Sequence, residues 1–295
     1  MKIGIDLGGT KTEAILIDNI GNELFRKRIQ TEKSYDGTIK GIINLIKEID
    51  NKFEKIHSVG IGMPGIISNY TSLVKNANSI WLNGKPLKKD LDKILDKKIT
   101  IENDANCFAL SEAVDGAGKD YNAVFGVIIG TGTGGGIVFN KKVLQGINQI
   151  GGEWGHTSLP NRTNDEIKYA KKCFCGLEGC METYVSGPGF ANIFNNIHNE
   201  NFNSHQIIDE FINGSQRSKL ALDNYVNHLA RGLSNVINIL DPDVIILGGG
   251  MSNIDYIYEN ISKQLKKYVV TDTFHTKVLK NKHGDSSGVR GAAWL

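Results

Sequence analysis

Short apolar runs separated by glycine- and asparagine-rich breaks organise this chain, and their spacing predicts its elements. Residues 3–7 (Ile-Gly-Ile-Asp-Leu) and 14–17 (Ala-Ile-Leu-Ile) flank Gly8-Gly9-Thr10-Lys11-Thr12, which predicts two strands joined by a tight glycine turn. Residues 23–29 alternate as a third strand. From Thr38 to Ile49, apolar residues (Ile39, Ile42, Ile43, Leu45, Ile46, Ile49) recur at three- and four-residue steps, the period of a helix with one buried face. Residues 57–65, from His57 to Gly65, read as a buried strand ending in a turn. Three strands, a helix and a further strand predict a mixed sheet in an α/β fold.

The polar stretch 68–86, with Asn69, Asn76, Asn78, Trp81 and Asn83, reads as a loop long enough to carry function. A short helix (90–95), a strand (99–101) and a helix running through Ala113 follow. A lull at 115–120 places a domain boundary, giving a small N-terminal domain over 1–117 and a large one over 118–295. Strand 123–129 runs into the glycine-rich 130–136 and a strand at 137–139. A dinucleotide fingerprint would open a helix here, so this is a second glycine hairpin. Two strand–glycine–strand loops in two halves suggest a duplicated fold holding phosphates between the halves. Beyond them, 204–240 is largely helical, 243–247 is a buried strand, and Gly248-Gly249-Gly250-Met251-Ser252 leads into a helix over 254–268, an arrangement found at nucleotide edges. The last residues, about 284–295, read as a closing helix that packs back on the small domain.

Composition narrows the class. Of 295 residues, 40% are apolar and 22% charged, and the net charge is +2, which gives no footprint for nucleic acid or a membrane surface. The sequence enters a strand pattern at once, and no 18-residue apolar run occurs, so a cytoplasmic protein is expected.

The chemistry concentrates between Gly152 and Glu182. Three of four cysteines, Cys173, Cys175 and Cys180, lie within eight residues, and His156 stands upstream. Soft thiolates at this spacing with a neutral imidazole suit a structural Zn²⁺ site; a disulfide with a leftover thiol is the alternative, and it needs an oxidising compartment. Cys107, in an apolar helical stretch, reads as a core residue. Were a metal to clamp the loop, Glu153, His156 and Glu182 would converge on one polar, multi-hydroxyl ligand such as a sugar. Asn103-Asp104 sits where a strand hands over to a helix, the place where open α/β sheets hold ligands. One of the pair can cap the helix while the other presents a carboxylate fit to serve as a general base. The 8–12 turn is not a Walker A loop, since a strand follows it, but its glycines, hydroxyls and lysine suit a phosphate.

Taken in order, Asp6-Leu-Gly-Gly-Thr-Lys11, Gly60-Ile-Gly-Met-Pro-Gly65, Asn103-Asp-Ala-Asn106, Gly130-Thr-Gly-Thr-Gly134, Gly152-Glu-Trp-Gly-His156, the Cys-x-Cys-x₄-Cys-x-Glu run at 173–182 and Leu247-Gly-Gly-Gly250 resemble the ROK family of bacterial sugar kinases. That resemblance implies a two-domain actin/hexokinase-like ATPase fold, with duplicated ribonuclease-H-like mixed sheets and a cleft between the domains. The 74–86 loop and the 283–294 tail look like the manno(fructo)kinase branch, which implies ATP-dependent phosphorylation of fructose, then mannose, at the 6-hydroxyl. N-acetylglucosamine kinase is the alternative, and a non-catalytic sugar or nucleotide sensor the alternative of another class. The resemblance implies Asp104 as general base; Asn78, Asn103, Glu153, His156 and Glu182 as sugar ligands; and Gly8, Gly9, Thr10, Lys11, Gly130, Thr131 and Gly132 around the ATP phosphates. It further implies Asp6 near Mg²⁺, Gly187, Gly248, Gly249, Gly250 and Met251 beside adenosine, structural Zn²⁺ on His156, Cys173, Cys175 and Cys180, and a homodimer. Many members carry an N-terminal DNA-binding helix-turn-helix; a chain that opens on its first strand is expected to be an enzyme, with no nucleic-acid partner.

Overall fold

The computed structural model describes residues 1–295 except 54, 55 and 57, so the expectation that a strand begins at His57 lies outside the described residues. In chain order the elements are β1 (Lys2–Leu7), β2 (Lys11–Ile17), β3 (Glu23–Gln30), α1 (Tyr35–Lys52), β4 (Ser58–Met63), β5 (Ile66–Ile67), β6 (Val74–Lys75), α2 (Leu87–Ile94), β7 (Lys98–Asn103) and α3 (Asp104–Val114). They continue as β8 (Ala123–Ile129), β9 (Thr133–Phe139), β10 (Lys142–Val143), α4 (Asn164–Tyr169), α5 (Glu182–Val185), α6 (Gly187–His198), α7 (Ser204–Ile212), α8 (Gln216–Leu240), β11 (Val244–Gly248), α9 (Asp255–Leu265), β12 (Lys277–Lys280) and α10 (Ser287–Trp294).

Two five-stranded sheets are built to one plan. The first has the order β3-β2-β1-β4-β7 and the second β10-β9-β8-β11-β12, so the third, second, first, fourth and fifth strands of each set are neighbours in the same sequence. β1, β2 and β3 pair antiparallel and β1, β4 and β7 parallel; β8, β11 and β12 are likewise parallel. The fold is α/β with duplicated mixed sheets. No described helix is long and apolar enough to cross a membrane.

By contacts the chain divides into two compact units: residues 1–120, 136–151 and 282–295, and residues 121–135 and 152–281. The single boundary at 117/118 differs from this division because 136–151 is fastened within the first unit. There the Lys141 ammonium donates to the carbonyls of Ala113, Gly118 and Lys119, and Gln149 exchanges hydrogen bonds with Asn69 at 3.1 and 3.0 Å.

In the first unit, α1 buries Ile39, Ile42, Leu45, Ile46 and Ile49 of the periodic set, with Ile43 half-buried beside them, in a core with Ile3, Ile5, Leu16, Val59 and Ile61. Each such side chain contributes about 1.5–3 kcal/mol when removed from water. Helix α10 packs against β1, β2, β4 and α3 of the same unit. That seam depends on glycine: a Cβ on Gly4, Gly60 or Gly291 would collide with the carbonyl of Val289, Ala292 or Cys107 respectively. Cys107 is buried there, a core residue. Two acids of α3's end tie the tail down. Glu112, fully buried, accepts from the Lys282 N–H (3.0 Å), the Ala117 N–H (2.9 Å) and the Ser287 hydroxyl (2.8 Å), and Asp115 takes the Arg290 guanidinium.

In the second unit β9 begins at Thr133, so Gly134, Gly135 and Gly136 are strand rather than turn. Close approach explains two of them: a Cβ on Gly135 would lie 2.8 Å from the Trp154 ring and 2.9 Å from the Gly152 carbonyl, and one on Gly136 would lie 2.7 Å from the Ala105 carbonyl. The long helical stretch resolves into α7 and α8, parted at Gly214, where φ is +86°. The helix expected over 254–268 is α9, Asp255–Leu265, and a 3-10 turn, Gly250–Asn253, precedes it. Both α4 and β12 are additional to the elements expected.

Candidate active site

In the first unit, β1 carries Asp6 to the edge of the glycine turn. The turn is closed by the Gly8 N–H donating to the Lys11 carbonyl at 3.0 Å, and Thr31, just past β3, braces it by donating from its hydroxyl to the Gly8 carbonyl (2.9 Å) and from its N–H to the Thr10 carbonyl (2.9 Å). Gly8 and Gly9 are half-buried, while Thr10 and Lys11 are exposed. Asp6 is pushed up to about 6 by burial first, then by the charges of Asp104 and Glu13, against a lowering pull from Arg28. Asp6 and Asp104, far apart in sequence, therefore share one electrostatic environment.

Asp104 opens α3, and Asn103 is the cap: its side-chain oxygen accepts from the Ala105 N–H at 2.9 Å. The Asp104 carboxylate faces the same N–H at 2.9 Å, and Asn103 reaches the Gly65 carbonyl with its amide at 3.5 Å. Glu102, which the sequence reading did not single out, stands behind the pair. Buried to 6% exposure, its carboxylate accepts from the Asn103 N–H (2.8 Å), the Asn106 amide (3.0 Å) and the Gln145 amide. The signal was the Glu102/Asn106 spacing of four residues at the start of a helix.

The 74–86 loop is a built structure. Asn83 accepts from the Ala77 N–H and donates to the Ala77 carbonyl, both at 2.9 Å, and the Trp81 indole donates to Thr38 at 3.0 Å. Trp81 and Asn83 thus hold the loop, and Asn78 is left exposed on it.

In the second unit, the Gly130 N–H donates to the Gly132 carbonyl (2.9 Å) and the Gly187 N–H to the Gly130 carbonyl (2.8 Å), joining two expected nucleotide segments. Glu182 links this hairpin to the cysteine loop: one carboxylate oxygen accepts from the Thr133 N–H at 2.9 Å and the other lies 3.7 Å from the Cys173 sulfur. Trp154, buried edge-to-face on Phe125, donates to the Gly134 carbonyl at 2.8 Å and so fixes the short turn that ends at His156, while Glu153 at its start is exposed.

His156, Cys173, Cys175 and Cys180 bring their ligand atoms within 4.8 Å of one another. Cys173 Sγ lies 3.5 Å from His156 Nδ1, and the Cys175 and Cys180 sulfurs lie 3.6 Å apart. A disulfide holds sulfurs about 2.05 Å apart, and these thiols are free. A tetrahedral ion with Zn–S of about 2.3 Å separates its sulfur ligands by about 3.8 Å, so both the donor set and its dimensions fit zinc. Nδ1 faces the thiols, which leaves Nε2 for a second partner.

A cavity of about 930 Å³ opens in this unit, lined by Gly130, Thr131, Gly187, Gly250 and Met251, five of the residues expected at ATP. Gly248 and Gly249 do not line it. Gly248 is the buried end of β11, and Gly249, at φ +81°, makes the turn, where a Cβ would meet the Ile129 carbonyl at 2.7 Å. The opposite wall was missed: Ile208, Phe211 and Ile212 of α7 with Ile254 and Tyr256 give it an apolar face suited to a flat base. Nothing local in the sequence marked it; in the structure its mark is Ile212, an apolar residue left 72% exposed on a short helix.

A sequence model described as "ROK family" matches residues 2–295. Among curated proteins, the N-acetyl-D-glucosamine kinase of Mannheimia succiniciproducens is 38% identical over 300 residues, covering 100% of this chain and 99% of that protein. The one from Escherichia coli is 36% identical over 299 residues, with 100% and 99% covered. Among solved structures, the ROK hexokinase from Thermus thermophilus superposes with a TM-score of 0.88 at 24% identity, covering 100% of this chain and 97% of that one, a likeness of fold. A ROK family glucokinase from Streptomyces griseus, solved with glucose and AMPPNP, gives 0.76 at 26% identity with 99% and 97% covered.

Proposed function

Since the chain belongs to the ROK family, we propose that it transfers the γ-phosphoryl group of ATP to the 6-hydroxyl of a hexose, with N-acetylglucosamine the leading substrate. The comparisons reverse the order of sugars expected from the sequence, because the full-length curated relatives at 36–38% identity bear that kinase's name. Fructose is the second reading, favoured by the 74–86 loop and the 283–294 tail.

The observation that carries the kinase reading is Asp104 at the first turn of α3, near enough to Asp6 to raise its pKa, in the same unit as the braced glycine turn. In this reading Asp104 accepts the proton of the sugar hydroxyl as its oxygen bonds to the γ-phosphorus and the bond to ADP breaks. Asn103 holds a sugar hydroxyl from the cap position, with Asn78, Glu153, His156 and Glu182 as further sugar ligands. The turns at 8–11 and 130–132 offer N–H groups to the phosphates, and the 930 Å³ cavity takes the adenosine. Two neighbouring carboxylates, one raised to about 6 by burial and by the charge of the other, suit a hard dication with oxygen ligands. Asp6 is the residue to hold Mg²⁺, which supplies charge neutralisation to the phosphates. Zinc on His156, Cys173, Cys175 and Cys180 would act on structure, fixing His156 and Glu182 relative to each other.

The test is an ADP-release assay with MgATP against N-acetylglucosamine, fructose, mannose and glucose. Turnover on N-acetylglucosamine supports the leading reading; turnover on fructose alone keeps the mechanism and reverses the substrate. Silence on every sugar refutes the kinase. Asp104→Asn should lower kcat by about 10²–10⁴-fold while sugar still binds.

A further inference from the structure

Ser79 precedes the 3-10 turn Ile80–Leu82, where a serine ordinarily caps through its side chain. Its carbonyl takes the Leu82 N–H at 2.9 Å, but its hydroxyl makes no capping bond. The residue is 2% exposed, and among the described residues its Oγ has no hydrogen-bond partner. A buried hydroxyl without a partner is costly, and such a cost persists where another state of the protein uses the group.

The phosphate turn of the same unit lies against it. A Cβ built on Gly9 would sit 3.4 Å from Ser79 Oγ, the one atom outside Gly9's neighbours within reach. The other carbonyls of the turn are engaged: Thr31 donates to those of Gly8 and Thr10, and Gly8 donates to that of Lys11. The Gly9 carbonyl is the group left for Ser79. Because Oγ is sealed from solvent, a neighbouring peptide rather than a ligand atom is the group for it to meet.

We propose that Ser79 is a positioning residue of the phosphate turn, its hydroxyl donating to the Gly9 carbonyl when a nucleoside triphosphate is bound. In a trans peptide the C=O and the following N–H point opposite ways, so holding the Gly9 carbonyl inward turns the Thr10 N–H outward toward a phosphate oxygen. The neighbouring Asn78 lies on the same loop, so the segment that offers a sugar ligand also sets the phosphate turn. This inference rests on the kinase reading and deepens it.

The experiment is Ser79→Ala, read by calorimetry with the magnesium complex of AMPPNP, by thermal melting without ligand, and by steady-state kinetics. The expected result is a Tm equal to or above that of the unaltered protein, a Kd for the analogue and a KM for ATP each raised about tenfold, and a sugar KM unchanged; Ser79→Thr, which keeps the hydroxyl, recovers most of the nucleotide affinity. A structural role would lower the Tm and leave the nucleotide constants alone. Unaltered protein that binds the analogue together with Ser79→Ala binding within twofold overturns this inference only; failure of the unaltered protein to bind it overturns the kinase reading and the inference with it. Should Ser79→Ala not fold, Ser79→Cys, nearly the same shape with a weak donor, carries the same readouts.

Discussion

Replacing Asp6 by asparagine should make the protein more stable and less active, with a pH signature that identifies the cause. An isolated aspartate titrates near 3.8, and burial together with the Asp104 and Glu13 charges pushes Asp6 up to about 6. Between those pH values the folded chain keeps a proton that the unfolded chain has released. Stability therefore falls as pH rises from about 4 to about 6, and stays lower above that window. At about 1.4 kcal/mol per unit, the charged carboxylate costs the fold about 3 kcal/mol at pH 7.5. Asparagine keeps the shape without the charge, so Asp6→Asn should raise the melting temperature at pH 7.5 by about 6–12 °C, given about 2–4 °C per kcal/mol. At pH 4.5 the gain should fall to about 2–4 °C, because the folded Asp6 is then still protonated and only the unfolded chain has largely ionised, which leaves about 1 kcal/mol of the cost. Melts in magnesium-free buffer at pH 4.5, 6.0 and 7.5 measure this directly. In an Asp104→Asn background the gain should shrink, since one source of the upward shift is gone. A gain that is absent at pH 7.5, or equal at pH 4.5 and 7.5, would refute the reasoning.

Four further outcomes follow from the geometry. Glu102→Gln leaves the amides of Asn106 and Gln145 competing for one oxygen, and should lower kcat about tenfold with the sugar KM nearly unchanged, as measured by the ADP-release assay. Gly291→Ala drives a methyl into the Cys107 carbonyl, and urea unfolding should show a loss of about 3 kcal/mol or more. Glu166 behaves oppositely to Asp6: burial works to raise it, but hydrogen bonds from His228, the Thr163 N–H and Arg231 outweigh burial and hold it at about 2. Its stabilisation, about 3 kcal/mol, is present above pH 4.5 and lost as pH falls toward 2, so Glu166→Gln should flatten the acid limb of a urea-midpoint profile taken between pH 5 and 3. Cys180→Ser should cut the zinc content found by elemental analysis by at least half, and a metal-free protein whose sugar affinity is unchanged would remove the structural role given to the ion.

What the sequence disclosed follows from what kind of physics each feature uses. The β1–β2 hairpin, the α1 period and the cap within Asn103-Asp104 are local, each set by residues a few positions apart, and each stands in the structure where the pattern put it. The cysteine cluster was legible because three of its four ligands are near neighbours. Features made by distant pairs were not. Gly4, Gly60 and Gly291 read as ordinary glycines, since nothing local says that a helix must lie against them. The Glu102 nest needed Gln145, and the α7 wall of the cavity needed the turn after β11. One miss was avoidable. Thr163 and Glu166 form a capping box that announces α4, and the stretch was taken as a polar insert. β12, four residues with lysine at both ends, is half-exposed at a sheet edge, where burial imposes the weakest pattern.

The seam of α10 sets a timetable for synthesis. β1, β2, β4 and α3 leave the ribosome early, yet the face that α10 covers stays open until residues 287–294 have been made, after the whole second unit has emerged. Domains ordinarily fold in the order in which they are translated. Here the later-made unit can close first, while the earlier one waits with an apolar face exposed to chaperones or to the same face of a neighbouring nascent chain.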